Sequence, residues 1–378
     1  MSNHLAFCEA ARPWTVDTIE SLVRLESPTG DKAAVDACGR EVGRLVAAAG
    51  GLVRMLPREC AGDHVLAEFG SGARQVLMLG HFDTVWPIGE LARRPLRRDG
   101  DRLFGPGIFD MKAGIVLALL AVRALQDSAS GVQGRLVVLL TSDEETGSAD
   151  SRTLIQEQAR HSEAVLVLEP PLPGGALKTA RKGCGEFYLR VKGRPAHAGI
   201  EPERGISAIR ELARQIVALD AIQDAASGTT LSVGVIRGGT RGNVIPEEAE
   251  AVIDVRVASM DEAARVARAM QGLRPQIAGA TLTVTGGIDR PPFERTPAVE
   301  ELLLLAQEEA RSLGRTLGEG STGGASDGNL TAALNVPTLD GLGAIGAGAH
   351  SLDECVEMSE LPWRAALLAG LIARILAR

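Results

Sequence analysis

The chain has 378 residues, of which 45% are hydrophobic, and a formal net charge of −8. This length suits two domains better than one, and the apolar content is sufficient for a large core. Nucleic-acid binding is excluded, because phosphate contacts need clustered Lys and Arg and the basic residues here are dispersed. The most hydrophobic predicted helix, at 361–378, is interrupted by two arginines and falls short of the ~20 residues of a membrane span. We therefore expect a globular protein with no nucleic-acid or membrane partner.

The cysteines and the N-terminal segment bear on location. The five cysteines are odd in number and lack CxxC spacing, which indicates reduced thiols used mainly in packing. Residues 1–14 contain Glu9 and other polar side chains and have no apolar core of signal-peptide length. Both observations favour a cytoplasmic protein.

Helix and strand patterns alternate from residue 15 to about 178. Helices are predicted at 16–25, 32–49 and 113–125, and buried strands at 75–80, 136–140 and 164–168. The second helix ends at Gly50-Gly51, where a left-handed cap is needed. This order predicts an α/β sheet domain with helices on both faces.

The pattern changes after residue 183. Strands with alternating polar and apolar residues are predicted at 186–192, 230–236, 249–257 and 281–285, with helices at 206–219 and 261–272 between them. Two helices on one face of a four-stranded antiparallel sheet would bury these strands. We therefore expect a catalytic α/β domain at 1–180 and 293–378, interrupted by an inserted α+β domain at 181–292.

Metal-binding side chains follow the buried strands of the first part. His81 and Asp83 end one predicted strand, Glu144 and Glu145 follow the next, and Glu169 follows the third. Open α/β sheets place their sites at these carboxyl ends. Asp110 and, far downstream, His350 complete a set of imidazoles and carboxylates suited to two hard or borderline divalent cations. The sequence predicts a two-metal hydrolase.

The spacing of these residues suggests individual roles. His81 and Asp83 share a strand face, so the Asp83 carboxylate could accept a hydrogen bond from the ring nitrogen of His81 that faces away from the metal. Asp110 precedes a buried helix and could be its N-cap, a bridge between two cations, or both. Adjacent glutamates suit a division of labour in which Glu145 binds metal and Glu144 is the general acid/base. Each residue alone could belong to an ordinary loop, but the combination favours a metal-binding catalytic site.

Four motifs carry a family resemblance: Gly-His-Phe-Asp-Thr-Val, Gly-Ile-Phe-Asp-Met-Lys-Ala-Gly, Asp-Glu-Glu-Thr-Gly-Ser and Gly-Arg-Pro-Ala-His-Ala-Gly. They resemble the zinc-dependent amidohydrolase and peptidase family of glutamate carboxypeptidase (carboxypeptidase G), aminoacylase, succinyl-diaminopimelate desuccinylase and peptidase T. The resemblance implies two Zn²⁺ ions per chain, although the ligand types would also accept Co²⁺ or Mn²⁺. It implies one ion on His81, Asp110 and Glu169 and the other on Asp110, Glu145 and His350, with Asp83 behind His81, Glu144 as the base and a cis Asp110–Met111 bond.

The same resemblance makes the inserted domain a lid and dimerisation domain. His197 matches a histidine that, in dimeric members, reaches the partner's active site and stabilises the oxyanion. Asn243 and Arg256 match substrate-contacting positions, and Arg290 either shares this role or is a surface residue. Arginine suits the recognition of a substrate carboxylate because its planar guanidinium group binds a carboxylate through two hydrogen bonds. With Glu169, these residues most resemble the glutamate carboxypeptidase branch.

The expected activity is hydrolysis of the amide bond of N-acyl amino acids or small peptides with a free C-terminal carboxylate. An aminoacylase- or desuccinylase-type deacylase is the alternative. A non-catalytic binding homologue would predict loss of the base, yet Glu144 is present. A purely structural protein would leave the metal-binding side chains without a purpose. We expect a homodimer formed through the inserted domain.

Overall fold

The structure is a computed structural model that describes residues 3–128 and 131–378; residues 1, 2, 129 and 130 lie outside the described part. The chain forms two compact units. The large unit contains the residues up to Thr179 together with Arg295–Ser321 and Ser326–Arg378, and the inserted unit contains Ala180–Glu294 and Thr322–Ala325. The large unit is therefore discontinuous in sequence.

The first part of the large unit alternates helices and strands, as the sequence predicts. Its elements are α1 (Asn3–Ala10), α2 (Arg12–Val23), α3 (Lys32–Ala48), β1 (Leu52–Leu56), β2 (His64–Gly70), β3 (Gln75–His81), α4 (Glu90–Arg93), β4 (Arg97–Asp99), β5 (Arg102–Phe104), α5 (Ala113–Asp127), β6 (Arg135–Thr141), α6 (Arg152–Arg160), β7 (Ala164–Val167) and β8 (Leu177–Arg181). Gly50 follows α3 with φ of 84°, the left-handed cap that the sequence predicts.

The inserted unit is the predicted antiparallel sheet with two helices on one face. Its elements are β9 (Gly183–Lys192), β10 (Ala196–His197), α7 (Ala208–Leu219), β11 (Thr230–Gly238), β12 (Val244–Ile245), β13 (Glu248–Val257), α8 (Met260–Gln271) and β14 (Thr281–Arg290). The four long strands lie in the order β11-β13-β9-β14. Alternate residues of β9 and β13 pack against both helices, which leaves the other face of the sheet open.

The chain then returns to the large unit. Its last elements are α9 (Pro297–Ser312), β15 (Glu319–Thr322), α10 (Gly328–Ala332), β16 (Thr338–Leu339), β17 (Gly346–Ala347), β18 (Cys355–Glu357) and α11 (Leu361–Leu376). The main sheet has the order β1-β2-β6-β3-β7-β16. Helices α5 and α11 pack with the core on one face and α6 and α10 with the core on the other, so both faces are covered. Within the described ranges, no helix is both long and apolar enough to cross a membrane.

The order of the central strands decides where the predicted ligands meet. β3 pairs with both β6 and β7, and both pairings are parallel. His81 lies opposite Thr141 at the end of β6, and Leu168 beyond β7 donates its N–H to the carbonyl of Leu79 at 2.9 Å. The carboxyl ends of three strands therefore converge at one edge of the sheet.

Candidate metal centre

His81 is buried at the end of β3 with a fixed ring orientation. Its Nδ1 lies 3.0 Å from the main-chain oxygen of Asp83 and 3.4 Å from the Oδ1 atom of that residue. The sequence predicted that the carboxylate would accept this bond, but the carbonyl does. Because a carbonyl only accepts, Nδ1 carries a proton, and Nε2, which lies beside the other predicted ligand residues, is the nitrogen left for a metal.

The Asp83 carboxylate instead binds the main chain of the turn that contains Glu144 and Glu145, here called the acidic turn. It is fully buried and accepts hydrogen bonds from Thr29 Oγ1 at 2.8 Å, Glu144 N–H at 3.3 Å and Glu145 N–H at 3.1 Å. Hydrogen bonds to an ionised acceptor are stronger than those between neutral groups. Asp83 thus links the end of β3 to the main chain that carries both glutamates.

A second buried carboxylate, missed from the sequence, flanks the same turn. Glu144 begins a single 3-10 turn, Glu144–Thr146, after β6. Asp327 accepts hydrogen bonds from Ser148 Oγ, just after the turn, and from Thr141 Oγ1, just before it, at 3.4 Å. No local pattern reveals this contact, because Asp327 lies 179 residues beyond Ser148.

Asp110 lies between the two histidines. Its Oδ1 is 3.3 Å from His81 Nε2, and its Oδ2 is 3.3 Å from His350 Nε2. The peptide bond from Asp110 to Met111 is cis. The N-cap alternative is wrong, because Lys112 occupies the N-cap position of α5 and no side chain caps that end.

The structure gathers the five predicted ligand residues into two groups that share Asp110. One group is His81, Asp110 and Glu169, the other is Asp110, Glu145 and His350, and the potential ligand atoms of each group lie within 4.8 Å of one another. His81 Nε2 is 3.4 Å from Glu169 Oε1, and His350 Nε2 is 3.2 Å from Glu145 Oε2. Glu144 belongs to neither group.

Burial and opposite charge shift the pKa values of this cluster. Burial lowers the pKa of His81, but the neighbouring carboxylates of Asp110, Asp83 and Glu169 outweigh it and raise this pKa well above its usual value. The neighbouring carboxylates of Asp110 and Glu145 raise the pKa of the half-exposed His350 to about 10. Burial raises the pKa of Glu145. The carboxylates thus favour the charged form of both imidazoles.

Several atoms that face the centre of the cluster lack partners. Within the described chain, His81 Nε2, Asp110 Oδ1 and Glu145 Oε1 are buried and make no hydrogen bond. Leaving a buried polar atom unpaired costs about 1–3 kcal/mol, so such atoms are rare unless a ligand satisfies them. The donor set of imidazole and carboxylate fits a divalent cation.

Two of the residues predicted to contact substrate lie together in the inserted unit. His197 is exposed on β10, which pairs with β12. Its Nδ1 accepts the N–H of Gly199 at 3.1 Å. The N–H of Ala198 donates to the carbonyl of Asn243 at 3.0 Å. The main chains of His197 and Asn243 are therefore held as neighbours.

The two predicted arginines flank Cys184 across three strands of this unit. Arg256 on β13 and Arg290 on β14 both pair with Cys184, and a β-bulge between Ile288 and Arg290 sets the second pairing. Arg256 makes two contacts of 2.9 Å with Asp254. Arg290 is only 5% exposed, so the surface alternative for it is wrong.

The fold and the paired imidazole–carboxylate groups define a class of metal-dependent hydrolase. The profile of Peptidase family M20/M25/M40 matches residues 77–374. The chain belongs to this family and is a hydrolytic enzyme.

Three known proteins illustrate the similarity. Carboxypeptidase G2 of Pseudomonas sp. (strain RS-16) is 33% identical over 96% of this chain and 89% of its own length. Aminopeptidase PepT of Bacillus cereus has the same fold, with a TM-score of 0.79 and 22% identity over 97% of this chain and 99% of its own. A dinuclear metal binding peptidase of the M20 family from Bacillus subtilis has a TM-score of 0.69 and 16% identity over 98% and 99% of the two chains.

Proposed function

We propose that the protein is a two-zinc hydrolase of amide bonds next to a free carboxylate. The separation of the potential ligand atoms carries the proposal. The four distances from a histidine Nε2 to a carboxylate oxygen in the two groups are 3.2–3.4 Å, longer than the ~2.7–2.9 Å of a charge-assisted hydrogen bond. Ligands at the corners of a tetrahedron around zinc, with bonds of about 2.0–2.1 Å, are about 3.3–3.4 Å apart. The two groups have the spacing of two zinc sites with one shared carboxylate.

Each ligand residue has a place in this scheme. His81 and Glu169 would hold one cation, and Glu145 and His350 the other, with one oxygen of Asp110 on each. The orphaned atoms of His81, Asp110 and Glu145 support this assignment. The dinuclear metal binding relative supports the number of ions. Co²⁺ and Mn²⁺ accept the same ligand types, so zinc is a preference that metal analysis must test.

The reaction follows from what the residues can do. Two bound cations would supply Lewis acidity, which polarises the amide carbonyl and makes water a stronger nucleophile. Glu144 takes the proton of the attacking water and passes it to the leaving amine. Its main chain is held by Asp83, and it belongs to neither ligand group, so proton transfer is not a second task for a metal-ligand residue.

The inserted unit would recognise the substrate. Arg256 uses two donors on Asp254, and a guanidinium has five, so donors remain for a substrate carboxylate. Arg290 pairs with Cys184, as Arg256 does from the other side, and would add positive charge beside Arg256. His197 and Asn243 would contact the scissile carbonyl and the substrate main chain. The resemblance of the sequence motifs to the glutamate carboxypeptidase branch favours a C-terminal glutamate in the substrate.

A homodimer through the inserted unit is part of this proposal. Strand β11 is an edge of the four-stranded sheet. Four apolar side chains on β11 and the neighbouring α7 are between 41% and 70% exposed: Ile209, Val217, Val235 and Ile236. An exposed edge strand with apolar side chains is a template for pairing with another copy. His197 would then serve the active site of the partner.

The test measures metal content and substrate preference on one preparation. We expect about two zinc ions per chain and cleavage of N-acyl or peptidyl glutamate in preference to the matching lysine substrate. Methyl esterification of the terminal carboxylate should raise KM for the wild type but have little further effect in Arg256→Ala. Arg190→Ala, which removes an exposed arginine from the neighbouring strand β9, is the matched control. A chain without metal, or an ester effect undiminished in Arg256→Ala, would contradict the metal site or the carboxylate clamp, respectively.

A further inference from the structure

One buried carboxylate joins the two loops that bear Asp110 and His350. Glu354 is 1% exposed and lies four residues after His350. Its Oε1 accepts the main-chain N–H groups of Phe109 at 2.9 Å and Asp110 at 3.1 Å, and its Oε2 accepts that of Gly107 at 2.8 Å. Three hydrogen bonds therefore connect this one side chain to the loop that carries Asp110.

The same carboxylate is held from another direction. Trp86 Nε1 donates to Glu354 Oε2 at 2.8 Å. The guanidinium of Arg94 lies 4.0 Å from the Trp86 ring centroid and donates to the carbonyls of Ser351 and Leu352 at 3.0 Å each. Four donors surround the two oxygens of Glu354, which fixes the carboxylate in one orientation.

His350 depends on such an anchor. Residues 349–353 are all exposed, and Glu354 is the first buried residue after them. His350 itself has φ of 58°, in the left-handed region. A ligand on an exposed segment keeps its place only if the segment is tied down nearby. Glu354 anchors this segment, because its carboxylate is hydrogen-bonded to the main chain of Asp110.

We propose that Glu354 is a positioning residue that sets the spacing of Asp110 and His350, and through it the affinity of their group for a divalent cation. This inference depends on the proposed metal centre. Glu354 is not itself a ligand, because its two oxygens are already occupied by four N–H donors. Its effect on catalysis would pass through the spacing of the residues that bind the cation.

The test compares variants by zinc affinity in competition with a chromophoric chelator. Glu354→Gln keeps the volume, but either amide orientation turns its NH₂ group toward two N–H donors. Removing the partner of a metal ligand typically costs about 10–100-fold in affinity, and we expect a loss of this size for one of the two zinc ions. Glu354→Asp keeps the charge on a shorter side chain and should lose less. Excess zinc should restore most of kcat in both variants.

Asp353→Asn is the matched control, because it removes an exposed carboxylate one residue away. It should bind zinc as the wild type does. A wild type that binds no zinc would defeat the proposed function itself. A Glu354→Gln variant whose metal-free form melts earlier, yet binds zinc as tightly as the wild type, would show a purely structural role and overturn the inference.

If Glu354→Gln fails to fold, two other variants still test the role of Glu354. Trp86→Phe removes one of the four donors and keeps an aromatic ring in place. Together with Glu354→Asp it should weaken zinc binding measurably without loss of solubility. Unchanged zinc affinity in both soluble variants would overturn the inference.

Discussion

Two adjacent glutamates offer a matched test of the proposed mechanism. Glu144→Gln and Glu145→Gln make the same chemical change one residue apart on the same 3-10 turn. The Oε2 atom of Glu145 is 3.2 Å from His350 Nε2, and Glu145 belongs to a ligand group, whereas Glu144 belongs to none. The two variants should therefore fail for different reasons.

The expected magnitudes follow from these positions. Glu144→Gln should keep about two zinc ions and lose about 10²–10⁴-fold in kcat, the range for removal of a general acid/base. That loss corresponds to about 2.7–5.4 kcal/mol of transition-state stabilisation at ~1.36 kcal/mol per factor of ten. Glu145→Gln replaces one of the three proposed ligands of one cation by a neutral amide. It should lose one zinc ion and recover part of its activity when zinc is added.

The assay needs both variants after dialysis against metal-free buffer. Metal content by mass spectrometry and kcat with and without added zinc separate the two failures. Melting temperatures check that neither variant is misfolded. Loss of zinc from Glu144→Gln, or two retained zinc ions in Glu145→Gln, would refute the division of roles.

The remaining predictions concern the shared ligand, its neighbours and the dimer. Asp110→Asn should deplete both zinc ions in the same dialysis, since Asp110 alone belongs to both groups; retention of one full equivalent would argue against a bridge. Because two neighbouring carboxylates raise the pKa of His350 from 6.5 to about 10, protonation of His350 stabilises the metal-free fold fully below pH 6.5, and this stabilisation is lost as the pH rises toward 10. Zinc must displace that proton, so zinc affinity should rise over this interval, and calorimetry in buffers of different ionisation enthalpy should detect about one proton released at this group. Asp83→Asn should lower the melting temperature and kcat together, because an amide cannot accept all three buried hydrogen bonds; an unchanged kcat would contradict its support of the acidic turn. His197→Ala should keep its zinc but lose about 10²–10³-fold in kcat, and mixing it with Glu144→Gln under verified subunit exchange should restore about a quarter of wild-type activity. Activity equal to the sum of the two parents would show that His197 does not act across a dimer.

Much of the fold was predictable because its signals are local. Apolar runs of strand length, followed within five residues by His81, Glu145 or Glu169, predict both a buried sheet and a functional edge. The alternating pattern of β9 and β13 predicts a sheet covered on one face, and the structure confirms it. These inferences depend on residues within a few positions of one another, where periodicity and turn chemistry are strong.

The partners of the site residues were not predictable in the same way. The Asp83 carboxylate accepts its hydrogen bonds from the acidic turn rather than from His81, Asp254 contacts Arg256, and Arg290 is buried. The donor to which a carboxylate binds depends on side-chain angles and on atomic positions to within a fraction of an ångström. Residue types and their spacing in the sequence do not specify these.

Glu354 is the clearest example of a residue whose role the sequence does not reveal. In the sequence it is one more acidic residue in the segment Leu-Asp-Glu-Cys, with nothing to distinguish it from exposed Asp353. The contact between Glu354 and Asp110 spans 244 residues and exists only because β18 pairs with β5 beside the Asp110 loop. The chain by itself determined which residues could bind metal and the strands that carry them. The tertiary structure alone decided which buried groups hold those residues in place, because hydrogen bonds between distant segments form only after the fold has brought them together.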